Sequence, residues 1–326
     1  MGCKPCQDAG RRFRALRCRA RLAKVLPMHN ILAGYSKALY ASWFYYKPAR
    51  LLLDAGEGII HSLGKRIFGI RKVFLTHGHE DHIAGLPSLV NLRNLSNGDR
   101  EIPLAVHYPA GDPFIGYLRE YLDKKQRHRL QYALSWQELK PGASVELEVT
   151  RRATRVTAFA VDHTRGWQSL GYRIEERRQA LRPELAGADP REVKALIHAR
   201  GREAVVETVW HPLLVYTGDT QPLADPAPCR GADLLLIDST YLDAEEMAGS
   251  RHANVDASLA TAAAAGVKHL VLIHMSGRHL KREILDAIDR AAARHGRPPR
   301  LGYFFEGRYL ELRGSENGDG DGTLRD

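Results

Sequence analysis

Short apolar runs recur along the chain, and each is long enough for a buried β-strand but shorter than a typical helix. These runs predict strands at residues 51–53, 73–75, 104–108, 155–161, 170–174, 212–217, 232–237 and 270–273, with a strand pair at 303–312. Helical patterns between them predict a helix that starts near Ile59 and others at residues 82–95, 115–134, 190–198, 255–265 and 281–293. The alternation of the two elements is typical of a layered α/β fold.

Several of these strands are followed within two residues by a side chain that can bind a metal ion. These side chains are Asp54, His77, His163, Asp219, Asp238 and His274. A single histidine at a strand end is usually packed or exposed without a further role. Several strands that deliver histidine and aspartate to one edge predict a site there, because strand ends carry the chemistry of layered α/β folds.

The segment from Thr76 to His82 reads Thr-His-Gly-His-Glu-Asp-His and lies between a predicted strand and a predicted helix. On an extended segment His77 and His79 point the same way, because side chains alternate with a period of two. Asp81 and His82 lie where the chain turns into the helix, so they can face a second point. Imidazole and carboxylate groups are ligands of zinc-like ions, and the spacing therefore predicts two adjacent metals that share one loop.

The composition is that of an ordinary globular protein, with 326 residues, 44% hydrophobic and 26% charged. No apolar run approaches the length of a membrane span, and no secretory signal is present. Four cysteines do not form a disulfide framework in a chain of this length, which predicts a cytoplasmic protein without membrane association. A Gly-rich phosphate loop and a nucleophile elbow are both missing, which argues against nucleotide-dependent and acyl-enzyme chemistry.

The net charge of +10 is unevenly distributed and divides the chain into three parts. Residues 1–27 carry eight Lys or Arg against one acid and are predicted to be a disordered basic extension. Residues 28–313 are predicted to be the folded domain that carries the metal site, with a charged insertion at 175–211, and residues 314–326 a disordered tail. The predicted helix at 115–134 carries a basic run of Lys124, Lys125, Arg127 and Arg129. Such a run is usually a solvated face, with nucleic-acid contact as the alternative.

Further motifs follow the metal-binding loop at recognisable positions. They are Asp162-His163 before the strand at 170–174, Thr217-Gly218-Asp219-Thr220, Asp238-Ser239-Thr240, His252, and Ile273-His274-Met275-Ser276-Gly277-Arg278. With His77-x-His79-x-Asp81-His82, they make residues 30–312 resemble the metallo-β-lactamase superfamily and, within it, the tRNase Z (ribonuclease Z) branch.

The resemblance implies a four-layer αββα sandwich with a dinuclear zinc site on one edge, Mn²⁺ or Fe²⁺ being the alternatives. One metal would be held by His77, His79 and His163. The other would be held by Asp81, His82 and His274, with Asp219 bridging the two and Asp54 supporting the ligands from behind. A homodimer is expected from the same resemblance.

The resemblance also implies an endoribonuclease that removes the 3′ trailer of precursor tRNA with a water shared between the two metals. Asp81 would orient that water. His252 would protonate the leaving ribose oxygen, with Asp238 as its partner where the family has Glu. Ser276 and Arg278 would contact a phosphate, although a rim position without contact is equally compatible with Arg278.

Two departures from the family leave other functions open. A short charged stretch at 181–196 stands in place of the longer arm of the family, and His252-Ala253-Asn254 replaces the usual His-Ser-Thr. The first alternative is another hydrolase of the same fold that acts on a small phosphodiester, a thioester or a lactam. The second is a protein that binds metal and nucleic acid without turnover.

Overall fold

A computed structural model describes residues 28–95, 102–126, 129–148 and 150–312 of the chain. The predicted basic extension, the predicted acidic tail and Arg127 lie outside the described residues. Among the residues it does describe, no helix is long and apolar enough to cross a membrane.

The first sheet has six strands in chain order. They are β1 (Leu32–Lys37), β2 (Ala41–Tyr46), β3 (Leu51–Leu53), β4 (Lys72–Phe74), β5 (Leu104–Pro109) and β6 (Leu134–Leu139). β1, β2 and β3 pair antiparallel, and β3 to β6 pair parallel. The parallel half therefore brings the carboxyl ends of β3 and β4 to the same edge.

The second sheet has eight strands in the order β14-β13-β12-β11-β10-β9-β8-β7. They are β7 (Ser144–Leu147), β8 (Thr154–Val161), β9 (Ser169–Leu181), β10 (Val206–Tyr216), β11 (Leu235–Asp238), β12 (His269–Ile273), β13 (Arg300–Phe305) and β14 (Arg308–Leu312). β10 to β13 pair parallel, and the outer strands pair antiparallel. The carboxyl ends of β10, β11 and β12 consequently lie side by side.

Helices from several parts of the chain accompany the two sheets. They are α1 (Met28–Ile31), α2 (Ile59–Leu63), α3 (Glu80–Ile83), α4 (Leu86–Leu95), α5 (Pro113–Gln126), α6 (Pro190–Arg200), α7 (Ala244–Met247), α8 (Val255–Ala265) and α9 (Lys281–His295). α2, α4 and α5 pack on the first sheet, and α8 and α9 pack on the second.

The sheets face each other across one apolar core. Within β3, Leu51 and Leu53 point into this core, and Leu52 points to the helices on the other side. From the second sheet, Tyr172 and Val271 enter the same core. Side chains of period two thus bury both faces of each sheet, and the predicted αββα sandwich is confirmed.

Two predicted segments were wrong in their extent. The helix predicted to reach residue 134 ends at Gln126, and β6 begins at Leu134. In β6, Leu134 and Trp136 pack toward the helices and Leu139 packs into the core between the sheets, a period of two that the helical pattern concealed. In the charged insertion, β9 and β10 continue as an antiparallel ribbon around α6. Both faces of that ribbon are largely polar, so no apolar pattern marked it as strand.

A buried histidine makes the stability of the fold depend on pH. His107 in β5 is 2% exposed and stacks on Phe74 with ring centroids 4.5 Å apart. Burial, and then the charge of Lys72, lower the pKa of His107 from 6.5 to about 4. In the unfolded chain the imidazole binds a proton near its ordinary pKa, whereas in the folded chain it does so only near pH 4. The stability that depends on neutral His107 is therefore fully present above the ordinary pKa and is lost as the pH falls toward 4.

Between about pH 7.5 and about pH 5, His107 is expected to cost the wild type about 2 kcal/mol of unfolding free energy. The His107→Leu variant should not show this part of the decrease. Urea denaturation at the two pH values measures that difference. The matched control is His61→Leu, since His61 is exposed and its removal should leave the difference as in the wild type. An equal acid loss in His107→Leu and wild type would contradict the assignment.

Candidate metal centre

The loop that follows β4 carries the cluster of histidines and acids predicted from the sequence. It reaches the edge where the carboxyl ends of β3, β4, β10, β11 and β12 meet. His79 is the N-cap residue of α3, and Asp81 and His82 lie in the first turn of that helix. Because α3 begins at this point, the loop presents its ligands in two directions.

The first set consists of His77, His79 and His163. His77 Nε2 lies 3.0 Å from His79 Nδ1, and His163 Nε2 lies 3.1 Å from the same atom. One nitrogen from each ring lies within 4.8 Å of the others. His77 and His163 are buried, and His79 is partly exposed.

The second set consists of Asp81, His82, Asp219 and His274, whose candidate ligand atoms also lie within 4.8 Å of one another. Asp219 Oδ2 lies 3.3 Å from His82 Nε2 and 3.2 Å from His274 Nε2. The same oxygen is 3.9 Å from His77 Nε2 and 3.8 Å from His163 Nε2. Asp219 therefore lies between the two sets.

Gly218 makes this position of Asp219 attainable. Its φ of +61° is in the left-handed region, which glycine adopts without steric cost. A Cβ atom there would lie 2.6 Å from Thr76 Cγ2, on the neighbouring loop. Glycine thus lets the two loops approach closely enough to bring their ligands together.

Hydrogen bonds on the far side of the rings fix which nitrogen faces the site. His82 Nδ1 lies 2.7 Å from Asp54 Oδ2, and His163 Nδ1 lies 3.0 Å from the carbonyl oxygen of Arg251. Both partners are acceptors only, so both Nδ1 atoms carry the proton. Each Nε2 then points toward Asp219.

Two threonines set the same tautomer in His77 and His274. Thr76 Oγ1 donates its single proton to Asp54, at 2.8 Å, and so accepts from His77 Nδ1 at 2.9 Å. Thr240 Oγ1 donates to an aspartate at 2.7 Å and accepts from His274 Nδ1 at 2.9 Å. The Nε2 lone pairs of both histidines face the centre.

A set of this kind fits bound cations. Lone pairs and carboxylate oxygens converge from all sides, and like charges at such distances repel unless a cation lies between them. His82 Nε2 and Asp219 Oδ1 are moreover buried and have no hydrogen-bond partner among the described residues. Histidines that bind a metal in proteins usually donate a hydrogen bond from their other ring nitrogen to an acceptor, as these histidines do.

The pKa shifts of the buried groups follow from this crowding of rings and carboxylates. Burial lowers the pKa of His82, but the nearby carboxylates, Asp219 foremost, outweigh it and raise the value well above the ordinary one, so a metal at the second set competes with a proton on His82. Burial, and then the charge of His82, hold the pKa of His77 well below its ordinary value, so His77 is neutral and able to bind a metal. Burial by itself would raise the pKa of Asp219, but neighbouring His274 and His82 lower it well below the usual range. Asp219 is thus an anionic carboxylate.

Asp54 supports the loop from the core side. Its carboxylate is fully buried and accepts hydrogen bonds from Thr76 N at 2.7 Å, Tyr216 Oη at 2.5 Å and His82 Nδ1. The residue has a φ of +54°, a strained conformation that only the surrounding contacts can hold. His274 is in the same conformation, with a φ of +59°.

Replacing Asp54 with asparagine is expected to lower the metal affinity of the chain about 10- to 100-fold. The amide offers one acceptor where the carboxylate offers two, so His82 loses its fixed tautomer or Thr76 loses its partner. Competition with a chelator of known affinity measures the change. Asp243→Asn is the matched control, because Asp243 also accepts backbone hydrogen bonds but lies outside the two sets. Equal affinity in wild type and Asp54→Asn would contradict the role of Asp54.

A histidine–aspartate pair lies beside the two ligand sets. His252 Nδ1 is 2.8 Å from Asp238 Oδ2, and the His252 ring stacks on that of His274 with centroids 4.9 Å apart. Asp238 is fully buried and also accepts from Thr220 N and from Thr240 N and Oγ1. Since every bond to Asp238 comes from a donor, the carboxylate serves as an anchor for His252.

Asp238 favours the protonated form of His252. Burial lowers the pKa of His252, but the charge and hydrogen bond of Asp238 outweigh it and raise the value to about 9. His252 remains 21% exposed, and its Nδ1 is held by Asp238, so Nε2 is the nitrogen available to a substrate. Asn254, which departs from the family motif, caps α8 by accepting from Ala257 N. That substitution leaves the pair intact.

The loop before His252 couples this pair to the first ligand set. Arg251 forms an ion pair with Asp162, and its carbonyl oxygen accepts from the ring of His163. A shift of His163 would thus be transmitted to the neighbouring His252.

The two residues predicted to contact phosphate lie at the rim. Arg278 is exposed, donates from Nε to Ser276 Oγ at 3.0 Å, and lies 5.9 Å from the ring centroid of Tyr241. Ser276 N bonds to Thr240 O. Both residues follow the ligand His274 closely in the sequence, and their contact with a substrate stays a prediction.

Sequence reasoning missed the side chains that hold the ligands from behind, namely Thr76, Thr240 and Tyr216. Thr76 and Thr240 adjoin predicted site residues, so their position was a usable signal. Tyr216 lies 162 residues from Asp54 in the chain, and nothing in its local sequence indicates the contact.

Known proteins resemble this chain in sequence. Residues 49–200 and 204–275 match the sequence profile of the protein family described as the beta-lactamase superfamily domain. The chain is 31% identical to ribonuclease Z of Listeria innocua over 254 residues, covering 70% of the chain and 78% of that protein. It is 30% identical to ribonuclease Z of Thermococcus gammatolerans over 279 residues, covering 77% of the chain and 82% of that protein.

The structure is also similar to the crystal structure of human tRNase Z, short form. The TM-score is 0.55 at 22% sequence identity, over 76% of this chain and 93% of the human chain. At this identity the likeness shows a shared fold.

Proposed function

Because the chain belongs to the ribonuclease Z family of the metallo-β-lactamase superfamily, we propose that it is a metal-dependent endoribonuclease that removes the 3′ trailer of precursor tRNA. The observation that carries the proposal is the His252–Asp238 pair, held against two ligand sets that share Asp219. Such a pair supplies a proton donor next to a site built for cations.

We propose two Zn²⁺ ions as the resident metals. Five imidazole rings and two carboxylates make up the ligand sets, and nitrogen-rich sets of this kind suit zinc better than magnesium or calcium. Bound at the two sets, divalent cations would supply Lewis acidity that activates a water and offsets charge on the phosphoryl oxygens.

The chain's own residues supply orientation and the proton. Asp81 Oδ2 lies 3.3 Å from His274 Nε2 and can accept a hydrogen bond from the attacking water. As the bond between phosphorus and the ribose 3′ oxygen breaks, His252 Nε2 donates its proton to that oxygen. Asp238 holds Nδ1–H and stabilises the imidazolium before transfer. The products are a tRNA with a 3′-hydroxyl and a trailer with a 5′-phosphate.

Cleavage of a 3′-extended precursor tRNA by the purified protein, with Zn²⁺ or Mn²⁺ added, tests this proposal. The expected result is one cut at the trailer junction that leaves a 3′-hydroxyl. Efficient hydrolysis of a simple diester such as bis(p-nitrophenyl) phosphate, with no trailer cleavage, would contradict the tRNA substrate. It would support a hydrolase of small phosphodiesters on the same fold. If the protein binds metal and RNA but hydrolyses neither substrate, the proposal that it is an enzyme is contradicted.

The proposal includes a homodimer, which rests on the family resemblance, and a location in the cytoplasm, which rests on the low cysteine content of the chain. Sedimentation velocity of the purified protein measures the first property. Fractionation of cells that express the natural chain measures the second.

A further inference from the structure

Helix α5 carries a row of exposed aromatic residues that the proposed mechanism does not use. Phe114, Tyr117 and Tyr121 recur at helical spacing, so their rings lie on one face, which we call the aromatic stripe. Their exposed fractions are 41%, 67% and 48%. The other side of the helix packs Ile115 and Leu122 into the core. A contiguous exposed row of this kind marks an interaction surface.

The aromatic stripe begins at the metal centre. A Cβ atom on Gly78, within the metal-binding loop, would lie 2.8 Å from Phe114 Cβ. The Phe114 ring also meets Trp167 edge-on, with centroids 5.4 Å apart, and Trp167 lies four residues after the ligand His163. The row of rings therefore runs from the edge of the site outward along α5.

The spacing of the rings suits unpaired bases. Phe114 and Tyr121 are seven residues apart, which is about 10 Å along a helix axis. At about 3.4 Å per stacked base, this length corresponds to about three nucleotides. Aromatic side chains stack on single-stranded bases with little dependence on sequence.

The charges near the stripe fit a single strand better than a duplex. Duplex RNA is held chiefly through phosphates, by cations that are free to meet them. Along α5, Lys124 is paired with Glu120 at 2.5 Å, and Arg119 lies 3.7 Å from Asp123. Lys125 lies beside the outermost ring of the stripe, where it adds one positive charge. Recognition by this surface thus depends mainly on the rings.

We infer that the aromatic stripe is the binding platform for the single-stranded 3′ trailer of the substrate. The inference rests on the proposed function, in which the trailer is the unpaired segment next to the cleaved bond. Stacking that tolerates any base suits a segment whose sequence differs from one precursor to another.

The test compares two precursors that share one tRNA body and carry trailers of about one and about eight nucleotides, a length chosen to exceed the stripe. In the Tyr117→Ala/Tyr121→Ala double variant, KM for the long-trailer precursor is expected to rise at least about tenfold. KM for the short-trailer precursor should change less than about twofold, because its trailer does not reach the two tyrosines. Tyr117→Phe/Tyr121→Phe keeps both rings and should restore wild-type behaviour.

The control for an exposed apolar side chain elsewhere is Leu95→Ala, since Leu95 is 70% exposed at the end of α4. It should leave both KM values unchanged. If the double variant and the wild type share the same KM for both precursors, the inference is overturned. It is equally overturned if the wild type sediments as a dimer, the double variant sediments as a monomer, and cleavage of both precursors falls to the same extent. The stripe would then join two copies of the chain. A wild type that cleaves neither precursor contradicts the proposed function itself, which keeps the two failures apart.

Discussion

Replacing Asp219 with asparagine is expected to abolish metal-dependent cleavage, with a loss of at least about a thousandfold in kcat/KM. Asp219 Oδ2 is within 4 Å of His77, His82, His163 and His274, so it lies close to both ligand sets. The amide removes a negative charge from a buried site that is proposed to hold two dications. Metal content should consequently fall from two ions to at most one per chain. Metal analysis after gel filtration and the precursor cleavage assay measure the two effects.

Asp225→Asn is the matched control for Asp219→Asn. Asp225 is an exposed aspartate of the same loop, and it only accepts a hydrogen bond from Ala227 N. Its replacement should leave metal content and cleavage as in the wild type. The role of Asp219 is refuted if Asp219→Asn retains two metals and cleaves within about tenfold of the wild type.

The His252→Ala variant is expected to lose about 10²- to 10⁴-fold in kcat and to keep both metals. The large loss follows because the ribose oxygen leaves poorly as an unprotonated alkoxide. Asp238 retains three other donors from Thr220 and Thr240, so the variant does not leave an unpaired buried charge. Single-turnover cleavage of precursor tRNA measures the loss, and metal analysis measures retention.

A substrate with sulfur in place of the leaving 3′ oxygen separates proton donation from a structural role. A thiolate leaves without protonation, because the thiol pKa is far below that of an alcohol. Wild type and His252→Ala should therefore cleave this substrate at similar rates. The control is His295→Ala, which removes a histidine paired with Asp256 at 2.9 Å outside the site. Equal defects on both substrates would show that His252 does not donate the proton.

Much of the candidate site could be predicted because its ligands follow strands that are apolar runs. His77, His79, Asp81 and His82 lie in one loop, so their proximity is local. Strand alternation and parallel pairing then bring the residues after β10 and β12 to the same edge.

The remaining features depend on contacts between distant parts of the chain. The tautomers of the ligand histidines are set by Asp54 and Thr240, and the left-handed conformation of His274 is imposed by its surroundings. β6 escaped prediction because its apolar side chains alternate at the edge of the sheet, beside a strongly helical segment. The sequence of this helix is marked by its lysines and does not indicate the aromatic stripe, since the exposure of its rings is a property of the folded chain.

Two metals held by the two ligand sets are proposed to enable this chain to cut the trailer from precursor tRNA. The most direct measurement is a Zn²⁺ titration of the chelator-stripped protein, with trailer cleavage as the readout. Cleavage that is absent without metal and reaches its maximum at two equivalents per chain is the predicted result. Cleavage that persists in the stripped protein, or its absence when two equivalents are bound, would contradict the account.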